Sequence, residues 1–281
     1  MVPRKVHLQA AAKINLSLSV DPPREDGMHP ITSKIVTIGL FDDLEVTRLD
    51  NHALSRYAIV WHDDAPKRTD IDWPVSNDLA VRAHHALEKL AGRSLPVQLK
   101  LEKRIPVGGG LGGGSADAAA MLLATNHLFD LNVDLSKLAL QLGSDVPFLL
   151  HGGTGMVRGV GEDFDTLEHE ELHFVLIFPD YSCSTASVYD SFDALGCPNQ
   201  SMGNDLLIPA CEVEGRLGDD IAVLQESTNL AIHLSGSGST MFIICDNALH
   251  AETLAETIEK QTNFVAVATK TYSANKIMER T

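Results

Sequence analysis

Apolar and polar residues alternate from Ala12 to Val20, where Ala12, Ile14, Leu16, Leu18 and Val20 interleave with Lys13, Asn15, Ser17 and Ser19. A period of two marks a β-strand with one apolar and one polar face. Asp26-Gly27 reads as a turn, and Ile35 to Ile38 and Leu44 to Val46 predict further strands. The stretch from Asn51 to Trp73 is mixed around Ile59-Val60-Trp61, which predicts a strand between loops. Leu79, Ala83, Ala86, Leu87 and Leu90 then recur at helical spacing, with Gly92 placed to end the helix. Val97 to Ile105 alternates again and delivers the chain into VGGGLGGGSADAAA at 107–120, where six glycines give way to a series of strong helix formers running on to Leu123.

Beyond that helix, Asp134 to Leu142 predicts a short helix, and Ser144-Asp145-Val146-Pro147-Phe148 opens another. Gly152, Gly153 and Gly155 punctuate the chain before a buried strand at Leu172 to Phe178. Strands are predicted at Met241 to Cys245 and Phe264 to Thr269, with helices near Ser187 to Leu195 and His250 to Lys260. A second small-residue run, Ser235 to Thr240, precedes the Met241 strand and by itself reads equally as a surface turn. The pattern is α/β, and we divide it into an N-terminal unit, 1–160, that carries the glycine run, and a C-terminal unit, 161–281.

Composition narrows the function. The 281 residues are 44% hydrophobic and 21% charged, enough for a large core and two domains. A formal net charge of −16 argues against nucleic acid and anionic membrane surfaces as partners, since both attract a basic face. A polyanionic substrate would then need a local positive site. The four cysteines show no Cys-x-x-Cys spacing and are too few for a disulfide framework, which favours a reducing cytoplasm. No stretch is long and apolar enough to span a bilayer.

A nearly side-chain-free loop that feeds a helix exposes several backbone N–H groups at the positive end of a helix dipole, which is a cradle for phosphate. The run is not a Walker A loop, because no Gly-Lys-Ser/Thr closes it. Two other features carry chemistry. Lys13 and Asn15 lie two apart on a strand and so emerge on one face, either into solvent or into a site. Asp145, just before Val146-Pro147, is either a helix N-cap or a carboxylate with a task.

Together these segments resemble the GHMP kinase superfamily of small-molecule kinases nearly end to end, on AAKINLSLSV at 11–20, PVGGGLGGGSADAA at 106–119 and LSGSGST at 234–240. Within it the chain is most similar to the family of 4-diphosphocytidyl-2-C-methyl-D-erythritol kinases of the non-mevalonate isoprenoid pathway. The carriers are AKINLSL, DGMH at 26–29, GGGLGGGS, LGSDVPF at 142–148 and GVGE at 159–162. The resemblance implies an N-terminal domain like ribosomal protein S5 domain 2 and a C-terminal ferredoxin-like domain, with the active site between them. It implies a monomer or homodimer that phosphorylates a cytidine diphosphate-linked alcohol with ATP. Asp145 becomes the catalytic carboxylate, with Lys13 beside the transferred group. ATP is expected against Pro106, Val107, Gly108, Gly109, Gly110, Leu111, Gly112, Gly113, Gly114, Ser115 and Ala116, its adenine near Asn77 and Asp78. Asn15, Met28, His29, Tyr189, Gly236 and Ser237 are expected to face the substrate. Mg²⁺ should accompany ATP with Ser115 nearby; the resemblance and the sequence leave its ligands open.

One departure stands out. The family usually reads Asp-Gly-Tyr-His where this chain reads Asp26-Gly27-Met28-His29, and the family's tyrosine stacks on cytosine. Met28 packs against a ring but has no aromatic face of its own, which leaves Tyr189 as the expected stacking partner. Competing readings are a GHMP kinase for another alcohol, of homoserine, mevalonate or sugar type, and a catalytically silent GHMP-fold binder.

Overall fold

The computed structural model describes residues 4–199, 203–273 and 277–279. Two sheets organise it. The first has seven strands built around a long antiparallel pair, β1 (Lys5–Val20) and β2 (Ile31–Arg48). On its far side β2 pairs with β4 (Val97–Lys103) through Asp43–Arg48 and with β5 (Thr154–Gly159) through Ile31–Val36. β3 (Arg56–Trp61) lies parallel to β4, and β6 (Asp163–Leu167) closes a hairpin with β5. The expected strands at Ile35–Ile38 and Leu44–Val46 are thus one strand. The expected division at 160 falls in the turn of the β5–β6 hairpin, and the first sheet runs on to Leu167.

Four helices accompany this sheet: α1 (Leu79–Ala91), α2 (Gly113–Leu128), α3 (Ser136–Leu142) and α4 (Val146–His151). α2 is buried on nearly every side, from Ala116 through Met121 to Leu128, as a helix with no polar face must be. Its alanines let α1, α4 and the strands approach closely, which makes it the central strut of the first core.

The second sheet holds β7 (His173–Phe178), β8 (His233–Leu234), β9 (Met241–Cys245) and β10 (Val265–Lys270) in the order β10-β7-β9-β8, all antiparallel. α5 (Thr185–Ala194), α6 (Leu207–Val213) and α7 (Gly215–Thr228) run between β7 and β8, and α8 (Ala248–Gln261) between β9 and β10. That succession and strand order are ferredoxin-like. A final strand, β11 (Ile277–Glu279), returns to pair with β1.

The two sheets meet across their own apolar seam, where Ala12, Ile14, Val36 and Ile38 of β1 and β2 pack with Phe174, Leu176 and Phe242 of β7 and β9. One end of this seam carries the glycine run of the first unit against the small-residue run of the second. Among the described residues no helix is long and apolar enough to cross a membrane.

Candidate active site

The polar face of β1 is enclosed at Lys13 and Asn15, although Ser19 on the same face is exposed. Lys13 and Asn15 are each only 5% exposed, and the Lys13 ammonium donates to Asn15 Oδ1 at 2.7 Å. Asn15 Nδ2 donates in turn to Ser33 Oγ at 2.8 Å, and Ser33 Oγ to the Ser17 carbonyl. The β1–β2 register shifts between Ala11 and Lys13 and again between Asn15 and Ser17. Such irregularities re-aim side chains, and here they flank the two functional candidates. Across the cleft, Asp145 Oδ2 stands 3.7 Å from Lys13 Nζ. Asp145 occupies the N-cap position of α4, yet its side chain makes no capping bond.

The glycine run lies between them. Lys13 N–H donates to the Leu111 carbonyl at 2.9 Å, pinning the loop to β1. Gly108, Gly110 and Gly112 have φ of 72°, 75° and 68°, the left-handed region that glycine alone adopts without cost. Gly110 also needs its missing side chain for room, because a Cβ there would stand 2.1 Å from the Ser235 carbonyl oxygen. That closeness forms a latch: Ser235 Oγ donates to the Gly110 carbonyl at 3.0 Å and Thr240 N–H to the Gly109 carbonyl at 3.1 Å. Gly112 serves as N-cap of α2 with no side chain of its own to cap it. The first amides of a sixteen-residue helix therefore face the cleft without a protein side-chain acceptor at the cap, the arrangement that suits an anion.

One cleft of about 860 Å³ joins these parts, lined by Lys13, Asn15, Met28, His29, Asp78, Asp145, Tyr189, Gly236, Ser237 and the run Pro106 to Ser115. Two expected residues lie outside its lining. Ala116 is buried with its N–H spent on the Gly112 carbonyl at 2.8 Å, and Asn77 sits exposed in a 3-10 turn. Asp78 lines the cleft while capping α1 through Ala80 N–H at 2.9 Å.

At the other end, His29 Nε2 lies 2.8 Å from Asp193 Oδ1, and its ring is 4.9 Å from Tyr189 and 5.9 Å from Phe192. Burial and the nearby Asp145 charge push the Tyr189 phenol up to about 12, so it stays protonated. Met28 is 49% exposed beside them. Gly236 comes close to both Lys13 and Asn15, for a Cβ there would stand 3.4 Å from Lys13 Nζ and from Asn15 Oδ1, and Ser237 Oγ is 3.0 Å from Thr185 Oγ1.

Three participants were not foreseen. Trp73 lines the cleft beside Asp78, its indole N–H 3.4 Å from Asp78 Oδ2; a lone Trp in a loop gave no pattern. Asn204 donates to both the Leu234 and Gly236 carbonyls at 2.9 Å and so shapes the second small-residue run. Beneath the glycine loop, buried Lys103 bridges Asp42 and Asp117 at 2.5 Å each. Burial opposes the Lys103 charge, but Asp117 and Asp42 outweigh it and its pKa is raised, whereas burial pushes the Asp117 carboxyl well above its usual range. Asp42 also accepts the Ile105 N–H at 2.8 Å, so this cluster ties β2 to the strand entering the loop and the helix leaving it.

A strand, a glycine cradle and a helix N-terminus facing a buried lysine paired with a half-buried carboxylate define a small-molecule phosphotransferase of the GHMP type, and residues 78–153 match the family described as GHMP kinases N terminal domain. A 4-diphosphocytidyl-2-C-methyl-D-erythritol kinase from Mycobacterium tuberculosis is 35% identical over 274 residues, covering 88% of this chain and 84% of that protein. A crystal structure of 4-(cytidine 5'-diphospho)-2C-methyl-D-erythritol kinase superposes with a TM-score of 0.76 at 32% identity, over 95% of this chain and 100% of that one. The chain belongs to the 4-diphosphocytidyl-2-C-methyl-D-erythritol kinase family. The fold reaches further: a homoserine kinase from Cytophaga hutchinsonii shares it at a TM-score of 0.65 and 16% identity, over 99% of this chain and 98% of that one.

Proposed function

We propose that this protein transfers the γ-phosphoryl group of ATP to the 2-hydroxyl of 4-diphosphocytidyl-2-C-methyl-D-erythritol, releasing ADP and a phosphate monoester. The observation that carries the reading is the Lys13–Asp145 pair at 3.7 Å, set in the same cleft as an uncapped helix N-terminus and an aromatic pocket. ATP fits the cradle, because the left-handed glycines and the open first turn of α2 present amides where phosphate oxygens would lie. Mg²⁺ bound with ATP would neutralise phosphate charge, taking its oxygens from phosphate and water with Ser115 as the protein hydroxyl in the cleft.

Phosphoryl transfer passes through a loose transition state and asks mainly for positioning and charge stabilisation. Asp145 accepts the hydrogen bond of the substrate hydroxyl and takes its proton late, as the oxygen–phosphorus bond forms and the bond to the ADP oxygen breaks. Lys13, held by Asn15, stabilises the charge on the transferring group. His29 and Tyr189 take the cytosine at the far end, with Met28 covering it. The four cysteines are free thiols, which supports a cytoplasmic setting.

ADP release by the purified protein, measured with a panel of alcohols, tests this. ATP consumption only with the cytidylyl alcohol supports the reading. Turnover on homoserine, mevalonate or a sugar instead replaces the substrate, and ATP binding without turnover on any acceptor replaces the enzyme with a binder.

A further inference from the structure

α4 has six residues, and the Asp145 carboxylate makes no bond to its own helix. So short a helix has little stability of its own, and what fixes it is packing. α4 rests mainly on α2 and α3, and the β5–β6 hairpin adds contacts at Phe148 and His151. A Cβ on Gly155 of β5 would stand 2.9 Å from Phe148 Cε2, so strand and helix are in contact there without a side chain between them. Phe164 of β6 meets Phe148 edge-on with centroids 6.3 Å apart and lies 5.1 Å from the His151 ring.

A still closer approach occurs at the turn, the GVGE segment at 159–162. Gly161, at φ 102°, lies so close to Ser144 that a Cβ would be 2.1 Å from its carbonyl oxygen and 2.7 Å from its carbonyl carbon. Ser144 is the residue before Asp145, and both line the cleft together with Val160 of the same turn. Glu162 closes the turn by accepting the Val160 N–H. The hairpin's other connection leads to Lys13. Ile35 and Val36 of β2 pair with Gly155 and Thr154 on one side and with Asn15 and Ile14 on the other. Three adjoining strands therefore run from the strand of Lys13 to the hairpin that holds Asp145.

We propose that the turn 159–162 is the gauge that sets Asp145 against Lys13, and that Gly161 is a positioning residue for phosphoryl transfer. The inference rests on the reading that Asp145 acts on the acceptor hydroxyl. A side chain at 161 must be accommodated by moving the turn or Ser144, and displacement of a reacting group by about 1 Å costs on the order of 10²-fold in rate. The phosphate cradle is built from the 107–112 loop and the start of α2 rather than from this turn, so ATP affinity should change far less than kcat.

The experiment compares Gly161→Ala, Asp145→Asn and the double variant in the full-length protein, reading ATP affinity, kcat and KM. Gly161→Ala is expected to lower kcat by about 10- to 100-fold with ATP affinity within about twofold of wild type. In the Asp145→Asn background it should cost nothing further, because it acts through that carboxylate. Gly92→Ala is the control: Gly92 has φ 64° and nothing within 4 Å of a Cβ, so it carries the backbone strain without the contact and should keep kcat. Wild-type kcat in Gly161→Ala, an additive loss in the double variant, or a loss located in ATP affinity would each overturn the gauge. If Gly161→Ala does not fold, Glu162→Ala loosens the same turn without creating overlap and should lower kcat by about threefold or more, again not additively with Asp145→Asn. Its wild-type kcat or an additive loss is equally fatal. An Asp145→Asn variant as fast as wild type would instead defeat the reading of Asp145 itself.

Discussion

Asp145 stands where a helix cap would stand, yet its carboxylate faces Lys13 Nζ at 3.7 Å and caps nothing. Asp78 makes the contrast, for it holds the same position on α1 and does accept the Ala80 N–H. The two aspartates should therefore fail differently. Asp145→Asn is expected to lose about 10²-fold or more in kcat with ATP affinity and melting temperature nearly unchanged. Asp78→Ala should lose about 1 kcal/mol of stability through the cap. Calorimetry alongside steady-state kinetics separates the cases; a melting temperature for Asp145→Asn that falls as Asp78→Ala does would return Asp145 to the role of a cap.

Lys13 is buried and its ammonium is shared between Asn15 and Asp145. Lys13→Met should cost about 10²-fold or more in kcat, the usual effect of removing one preorganised charge stabiliser. It also strips Asn15 Oδ1 of its donor, a loss of about 1–3 kcal/mol if no water replaces it. Lys13→Arg should not restore activity, because the Gly236 backbone leaves little space around Nζ. Full kcat in either variant would remove Lys13 from the chemistry.

The order of strand, glycine loop and helix was legible because it is local: alternation, then glycines, then an unbroken helical series. The fate of the polar face of β1 was not, since Lys13 and Asn15 are enclosed by residues distant in sequence, Gly112 and Asp145 of the first unit and Gly236 of the other. β2 read as two strands because Gly39 and the acidic pair Asp42-Asp43 interrupt its pattern. In the fold Asp42 is buried against Lys103, 61 positions away, and no local signal reports such a partner. The β5–β6 hairpin was hidden by its own glycines and acids, with β6 exposed except at half-buried Phe164. That hairpin runs past the point where the sequence placed the division between units. α6 and α7 were masked by Pro209, Gly215 and Gly218.

The latch between the two small-residue runs predicts a graded glycine series. Gly110→Ala puts a carbon 2.1 Å from the Ser235 carbonyl oxygen, whereas Gly108→Ala meets only Ser182 Cβ at 3.4 Å and carries backbone strain alone. Gly110→Ala should lose ATP binding and more than about 2 kcal/mol of stability, and Gly108→Ala no more than about half that. Thermal melts with and without ATP read both quantities. Equal behaviour of the two would mean that the latch is not what holds the loop.

Acid sensitivity should trace partly to His84. Its Nε2 lies 2.8 Å from the Leu95 carbonyl, so it carries the proton, and Nδ1 takes the Tyr57 hydroxyl at 2.8 Å. With both His84 nitrogens engaged, the trio of buried His84, exposed His85 and half-buried Glu88 is a hydrogen-bonded cluster rather than a metal centre. Burial pushes the His84 pKa below 6.5, against the pull of the Leu95 carbonyl and the Glu88 charge. As pH falls through 6.5 the unfolded ring takes up a proton that the native ring refuses, so stability drops on the acid side and is unaffected by this group above it. His84→Gln should lower the melting temperature at neutral pH yet flatten its decline below about pH 6.5. An acid slope identical to wild type would exonerate His84.

At the proposed cytosine end Met28 is half exposed, and the Tyr189 ring lies 4.9 Å from His29 at a tilt of 48°. Base–aromatic stacking is worth about 1–3 kcal/mol by alanine substitution, so Tyr189→Ala should raise KM for the cytidylyl substrate by about tenfold or more. Because the phenol stays protonated and its ring does the packing, Tyr189→Phe should remain close to wild type. Met28→Tyr adds a second aromatic face and should be neutral or lower KM. In the proposed pocket these side chains meet the base rather than the reacting hydroxyl, so kcat at saturation should move little in any of the three. Competition binding with CDP on the ATP-saturated protein gives the direct check. Saturable displacement by CDP that weakens in Tyr189→Ala supports the pocket, whereas no CDP site together with an indifferent Tyr189→Ala would point to a smaller alcohol as the true acceptor.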